Sequence, residues 1–543
     1  MNKKVVFIAD FFVEHVLGGG ELNNEELVKI LISKKYKVTK VQSHTVSKEW
    51  LTKHSNYFFI ISNFVNLSRE CREFLSTNLN YIIYEHDHKY LRTRNPASYK
   101  NFLSPESELI NYYFYKDAKA ILCQSEFHRN ILYENLKLDN TVNLSGNLWS
   151  LETLEKIRTL SKNKKQKKCS IMNSNINHKN TRGACIYAKL KNIDYELIGS
   201  GNYYNFLEQL SKNNKFLFLP KTPETLSRVI VEARMLGCSV MTNDLVGASG
   251  EKWFSIKGEK LVDYMIQKRE EILSIVEDFC NRSYERRDKP LVSIITTFHE
   301  AEKYLENFMT NIISQTMFDK CELIIIDAAS PGREQETVEK YLNKYDNIVY
   351  KRLEEKLKIT PCLNMALKMA SGKYMTFAFV DDVKKKNCIE LLLEYITKNS
   401  EASLVYGDVI ETHTPNETFE SNTSSGKLFE HSKLEFSKEN MIKCLPGPMP
   451  LWDRDIHNVS GFLDEENCNY ADDWDMWLRA VNNGFKFKKL SEIVGLYLSG
   501  GRSQNENNIE QRKEEAKIFF KYSHLFGNNF NNYAPYFKQF LGG

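Results

Sequence analysis

Residues 371–382 read SGKYMTFAFVDD. From Tyr374 to Val380 the run is almost wholly apolar, and it stops at two adjacent carboxylates, Asp381 and Asp382. A continuous apolar run predicts a strand covered on both faces, as strands of parallel sheets are. In open α/β sheets ligands bind beyond the carboxyl ends of the strands. The stretch therefore predicts an α/β fold with acids at the mouth of a site.

Its neighbours repeat the pattern. LVSIITTF (291–298), CELIIIDAAS (321–330) and ASLVYGDVI (402–410) read as further strands, the second ending in Asp327. NYADDWDMWLRA (469–480) then sets Asp472, Asp473 and Asp475 among Trp474, Met476 and Trp477. Like charges this close repel. The expectation is a helix start, whose positive dipole end eases the crowding while the acids cap it. Trp474 and Trp477 would wedge that helix against the core. Capping alone does not need two adjacent acids, so one is expected to face a reactant. Carboxylates at strand ends can hold a hard divalent cation, and another acid kept clear of it can act as a base.

Working towards the N-terminus, KVVFIAD (4–10) reads as a buried strand, followed by LGGGE (17–21) and a helical stretch, LNNEELVKILISK (22–34). YFFIISNF (57–64), NYIIYEHD (80–87) and KAILCQS (119–125) are further strands. SKNKKQKK (161–168) reads as a solvated linker, since no aromatics interleave with its charges. Strands resume with CSIMNS (169–174), YELIGSG (195–201), KFLFLP (215–220) and CSVMTND (238–244), and the helix KREEILSIVEDFC (268–280) closes the unit. A second linker, NRSYERRDKP (281–290), leads to the acidic unit. The expected division is 1–160, 165–282, 289–503 and a helical extension, 504–543.

The 543 residues exceed one ordinary core. A 42% apolar and 12% aromatic content argues for folded domains and against disorder. Net charge is only +4, so no nucleic-acid partner is expected. Eleven cysteines without paired spacing read as reduced thiols of a cytoplasmic protein rather than a zinc site or disulfide framework. The start, MNKKVVFIADFF, is expected to be a strand rather than a signal peptide, because Asp10 interrupts it early. No apolar run reaches membrane-spanning length.

Four stretches in order, VSIITTFHEAEKYLENFMTNIISQT (292–316), ELIIIDAAS (322–330), SGKYMTFAFVDD and DDWDMWLRA (472–480), resemble the family-two glycosyltransferases of the GT-A fold. The resemblance covers roughly 290–503 and implies a Rossmann-like mixed sheet. It places Thr297 and Phe298 where the family cradles the nucleotide base and Asp327 where an acid binds uracil. Asp381 matches the metal-binding aspartate, with Asp382 beside it, and Asp473 matches the catalytic base, with Asp472 as its rival. Arg502, in SGGRS (499–503), would reach the diphosphate. The implied chemistry is inverting transfer from a nucleotide sugar, UDP-linked, with a divalent cation, Mn or Mg. Ala328 stands where a second acid usually follows Asp327, and Phe379 where the metal motif has its first acid.

FLPKTPETLSRVIVEARMLGCSVMTND (218–244) sets Glu224 and Glu232 eight residues apart, the second within a helical run. It resembles the donor half of family-four glycosyltransferases of the GT-B fold, two Rossmann-like halves, over roughly 1–280. The resemblance implies that Glu232 holds the ribose, Glu224 the transferred sugar and Lys179, in NHKNTRGA (177–184), the diphosphate. Gly18, Gly19 and Gly20 fit a loop that approaches phosphate through bare backbone. His86, with His88 as rival, stands where a sugar-contacting histidine is common. Leu226, Ser227 and Arg228 replace the usual glycines, and Arg228 would supply the missing positive charge. This half implies retention, without a metal or other cofactor.

The reading that results is a bifunctional glycosyltransferase with nucleotide-sugar donors and a glycan or lipid-linked glycan acceptor, such as a bacterial surface polysaccharide. It would be cytoplasmic, with peripheral membrane contact at the inner face if the acceptor is lipid-linked. The alternative is a single GT-A transferase with a non-catalytic acceptor-binding or scaffolding module. A nucleotide-dependent oxidoreductase is disfavoured, since no GxGxxG follows the first strand.

Overall fold

The computed structural model describes residues 3–199, 201–284, 289–430, 433–500 and 508–541. The chain divides into two compact units: Met1–Ser104 with Asn111–Glu285, and Pro105–Ile110 with Arg286–Gly543.

The first unit holds two all-parallel sheets. Strands β1 (Lys4–Ala9), β2 (Lys37–Gln42), β3 (Phe58–Ile61), β4 (Tyr81–Tyr84), β5 (Ile121–Cys123) and β6 (Thr141–Asn143) pair in the order β2-β1-β3-β4-β5-β6. Strands β7 (Gln166–Met172), β8 (Tyr195–Ile198), β9 (Asn213–Phe218) and β10 (Ser239–Thr242) pair as β10-β9-β7-β8. Val5 to Ala9, Phe59 to Ile61 and Tyr81 to Tyr84 are fully buried, which is why these runs read as unbroken apolar stretches. The linker expected at 161–168 is shorter than predicted, because β7 already begins at Gln166. The helix Glu259–Asn281 joins the two Rossmann-like sheets. Its Leu261, Val262 and Met265 pack in the core of the second sheet, and its Ile272, Leu273 and Val276 in that of the first. Arg269 fixes the crossing by pairing with Glu26 at 2.6 Å.

The second unit is built on one mixed sheet. Strands β11 (Val292–Phe298), β12 (Cys321–Asp327), β13 (Ile348–Arg352), β14 (Tyr374–Phe377), β15 (Val383–Lys384), β16 (Leu404–Thr412), β17 (Leu451–Asp453) and β18 (Phe487–Leu498) lie in the order β13-β12-β11-β14-β17-β16-β18-β15. The first four are parallel, with Phe298 opposite Asp327 and Asp327 opposite Arg352. Strand β17 runs antiparallel to β14 and β16. The carboxyl ends of β12, β11 and β14 thus share one edge of the sheet. Two helices, Ile509–Lys521 and Asn529–Lys538, follow. They are not a loose extension. Phe519 is fully buried and stacks on Phe537 at 4.4 Å and on Phe530 at 5.2 Å.

All eleven cysteines are unpaired. No helix among the described residues is long and apolar enough to cross a membrane.

Candidate active site

The edge at which β12, β11 and β14 end collects the acids. Asp327 closes β12 and is wholly buried. One carboxylate oxygen accepts the Ser330 backbone N–H at 2.8 Å, the other the Tyr350 hydroxyl at 2.8 Å, and Arg352 stands 3.5 Å away. Two turns beside it carry non-glycine residues in the left-handed region, Glu300 at φ 56° and Ala329 at φ 57°. Such backbone persists where surrounding contacts over-determine it. Here the Glu300 N–H donates to the Ser330 hydroxyl, and the Ala328 carbonyl meets His299 Nδ1 at 2.9 Å.

Thr297 and Phe298 end β11. The Thr297 hydroxyl donates to the Ile326 carbonyl at 2.9 Å, and the Phe298 side chain packs in the core. Both therefore lie at the carboxyl end of β11, with Phe298 opposite Asp327.

Beyond β14 the chain turns, and Asp381 and Asp382 follow. Asp382 is buried and accepts the Leu498 backbone N–H at 3.2 Å; Asp381 is partly open. Burial raises the pKa of Asp381, against the pull of Lys303. Burial and repulsion from Asp381 push Asp382 up well above the ordinary carboxylate range. Phe379, where the metal motif usually has an acid, stacks on Phe377 at 5.8 Å.

The third acidic element is the helix Asp472–Asn482. It is tied to the same edge through the helix Ile359–Met369, which packs on β11 and β12. Thr360, in its first turn, donates to Asp472 at 2.7 Å, and Cys362, two residues on, meets the Thr297 hydroxyl. Asp472 is buried, and its second oxygen accepts the Asp473 N–H at 3.0 Å. Asp473 is less buried; it accepts the Trp474 N–H at 2.7 Å and the Cys444 thiol at 3.3 Å. Burial, then repulsion from Asp473, raises Asp472 to about 6, and burial raises Asp473 as well.

The third aspartate of the stretch has a different task. Asp475 pairs with Arg479 at 2.9 Å and Lys521 at 2.7 Å and accepts the Tyr522 hydroxyl at 3.2 Å. Against the cost of burial, those cations hold its carboxyl below the usual range. Trp477 is fully buried against Trp452, and Trp474 donates its indole N–H to the Met441 carbonyl.

The expectation that these acids cap the helix holds in part: Asp472 and Asp473 accept the first-turn N–H groups of Asp473 and Trp474, but neither stands at the N-cap. The residue at the N-cap is Ala471, which has no side-chain acceptor. The N–H groups just ahead of the helix have a different acceptor, Glu514, from the helix Ile509–Lys521. Its carboxylate takes the backbone N–H groups of Asn469, Tyr470 and Ala471 at 2.8, 2.9 and 2.7 Å. Sequence reading missed Glu514 because it lies 41 residues beyond Asp473 within an ordinary run of charged residues, QRKEEAK. Arg502 lies outside the described residues.

Residues 293–458 match glycosyl transferase family 2. This stretch is a family 2 glycosyltransferase domain. An uncharacterized glycosyltransferase of Methanocaldococcus jannaschii is 25% identical over 237 residues, 44% of this chain and 79% of the relative. A putative teichuronic acid biosynthesis glycosyltransferase of Bacillus subtilis, TuaG, is 27% identical over 245 residues, 44% of this chain and 89% of the relative. Residues 1–349 of S. aureus TarS, solved with UDP, are similar at 18% identity over 45% of this chain and 71% of that one, with a TM-score of 0.36. The enzyme is a glycosyltransferase, and its family 2 domain holds Asp327, Asp381 and Asp382 within the matched stretch.

Asp381 and Asp382 offer hard oxygen donors beyond the carboxyl end of β14. That chemistry fits a divalent cation, which Mg²⁺-type sites hold through one or two carboxylates plus substrate phosphates. Among the described residues no group of three or more His, Cys, Asp or Glu side chains stands in position to hold a metal.

The first unit brings its candidates into two neighbouring sets. Gly19 and Gly20 begin the helix Gly19–Ser33. A Cβ on Gly19 would meet Arg228 at 3.1 Å, and one on Gly20 would meet the His86 ring at 3.5 Å, so small residues let this helix end approach both. His86 has both ring nitrogens engaged, Nε2 with Asn24 at 2.7 Å and Nδ1 with Gln124. Burial drives its pKa down to about 3, so the ring is neutral. Arg228 lies over the Trp149 ring at 4.4 Å and donates to the Leu148 carbonyl. Glu232 is buried in the helix Arg228–Met235, where it accepts the Trp149 indole N–H at 2.9 Å and the Tyr203 hydroxyl at 2.7 Å. Burial raises its pKa. Lys179 and Glu224 form the second set, paired at 2.7 Å and both largely shielded from water. Thr225 links the two sets, donating to the His86 carbonyl and the Gln124 side chain. His88 is buried against Tyr90 and His128, away from this group of contacts.

Proposed function

We propose that the second unit transfers a sugar from a UDP-linked donor to an acceptor hydroxyl with inversion at the anomeric carbon. The observation that carries this is the gathering of Asp327, Asp381–Asp382 and Asp472–Asp473 at one sheet edge of a family 2 domain. Asp327, with Arg352 beside it, would bind the uracil, and Thr297 and Phe298 would shape the floor beneath it. Asp381, supported by Asp382, would hold a divalent cation, which when bound neutralises the departing diphosphate. Asp473 would take the proton of the attacking hydroxyl, because its carboxylate is the more open of the adjacent pair. Asp472, held by the Thr360 hydroxyl, would orient its neighbour. TuaG, whose name assigns it to teichuronic acid biosynthesis, supports a surface glycan as acceptor.

In this reading the first unit is a GT-B module acting as a second, retaining transferase. Its helix end at Gly19–Gly20, Arg228 and Lys179 would receive a nucleotide diphosphate; Glu232 and Glu224 would bind ribose and sugar, and His86 the sugar. Fusion would keep the first product near the second site at high effective concentration. The four-part division, 1–160, 165–282, 289–503 and 504–543, belongs to this proposal. A second reading, in which this unit only binds acceptor, is favoured by one observation: Arg228, Glu232, Lys179 and Glu224 are each already engaged by other protein groups.

Screening nucleotide sugars for transfer on the full chain, with and without Mn²⁺, tests the proposal. Glu224→Gln and Glu232→Gln separate the two readings. Loss of one transfer step, about 10²-fold or more, with the other intact, supports a second active site. Two intact steps would leave a binding module. Gln is chosen over Ala because truncating Glu232 would strand the Trp149 and Tyr203 donors, at a cost of about 1–3 kcal/mol.

A further inference from the structure

The acidic helix is held at its start by one side chain from far along the chain. Three successive backbone N–H groups, of Asn469, Tyr470 and Ala471, converge on the carboxylate of Glu514. Glu514 is buried, so these charge-assisted bonds compete little with water. Seven residues on, and on the same face of its helix, Lys521 pairs with Asp475 at 2.7 Å. The helix Ile509–Lys521 therefore grips the acidic helix at two points, one before Asp472 and Asp473 and one after.

A helix start normally directs its free N–H groups towards nearby acids. Here the groups ahead of Asp472 are spent on Glu514. The helix's own first-turn N–H groups, of Asp473 and Trp474, still go to Asp472 and Asp473, which also accept from Thr360 and Cys444. Glu514 thereby holds the backbone that leads directly into the pair. We propose that Glu514 is a positioning residue for sugar transfer, acting through Asp472 and Asp473, so that the C-terminal helices are part of the transferase site. This rests on the reading of Asp473 as the base.

The test compares Glu514→Gln and Glu514→Asp with wild type and Asp473→Asn in the full chain. An amide cannot accept on both ends, so Gln releases at least one of the three N–H groups. The expected result is a 10- to 100-fold fall in kcat for transfer with the donor KM unchanged, on protein whose thermal melt is intact at the assay temperature. Glu514→Asp, which keeps the charge and shortens the reach, should recover part of the loss. A purely structural role would lower the folded fraction and leave kcat per folded molecule unchanged, and that result would overturn the inference. If the Gln variant does not fold, the Asp variant decides: a kcat at least threefold below wild type supports the inference, and a wild-type kcat overturns it. If Asp473→Asn is inactive while both Glu514 variants match wild type, the inference fails and the base assignment stands. If Asp473→Asn is fully active, the assignment itself fails.

Discussion

Asp473→Asn is expected to lower the transfer rate of the second unit by about 10²–10⁴-fold, the range that loss of a general base produces. Donor KM should stay within about twofold, since the change removes an interaction made only as the acceptor hydroxyl loses its proton. Asp472→Asn should behave differently. Asp472 is raised to about 6 by burial and by its neighbour's charge, and the two carboxyls titrate as a pair. Removing the Asp472 charge should keep most of the activity and move the acid limb of the pH–rate profile to lower pH. Stability should move the opposite way from activity. A carboxyl whose folded pKa lies above its unfolded value near 3.8 stabilises the fold at low pH and loses that contribution as pH rises through about 6. At pH 7 the charged pair is therefore a liability, and either Asn variant should melt at a higher temperature than wild type. The gain should shrink as pH falls towards 4. Thermal melts at pH 4, 6 and 7 beside transfer assays check both halves; an Asp473→Asn variant with wild-type kcat would remove the assignment.

Asp381→Asn is expected to be the second most damaging change. Stabilisation of a departing diphosphate by a divalent cation contributes several kcal/mol, so transfer should fall by about 10²–10³-fold. Some activity should return as Mn²⁺ is raised, because the amide oxygen still offers a weak donor. The variant should bind UDP in Mn²⁺ no more tightly than in EDTA, as calorimetry would show. Asp382→Asn should be milder, since its carboxylate is turned towards the Leu498 N–H and supports the site from behind. Equal Mn²⁺ dependence in wild type and Asp381→Asn would exclude Asp381 as a ligand.

The parallel strands were legible because burial on both faces leaves a simple trace. Val292–Phe298, Cys321–Asp327 and Tyr374–Phe377 each appear as an apolar run, and the acids at or just beyond two of their ends, Asp327 and Asp381–Asp382, lie on one edge of the sheet. The helix of Asp472–Asn482 was legible from its aromatic residues, but its cap was not. Local rules assign a cap to the residue just before the helix, whereas Glu514 reaches it through the fold. The work of Asp475 was equally hidden. Arg479 lies one turn away and could have been guessed, but Lys521 and Tyr522 approach only because the last helices fold back. In the first unit, the eight-residue spacing of Glu224 and Glu232 correctly puts one in a loop and the other in a helix. It carries no sign that Trp149 and Tyr203 occupy Glu232. Long-range polar partners of this kind leave no periodic signal in a sequence.

The account rests on the acids of the family 2 domain forming one donor site. Anomalous diffraction from crystals of the full chain soaked with Mn²⁺ and UDP tests this most directly. The account predicts a manganese peak within ligand distance of Asp381, bridged to the diphosphate, with the uracil against Asp327 and Asp473 facing the vacant acceptor side. UDP bound away from all three acids, or manganese at carboxylates other than Asp381 and Asp382, would contradict it.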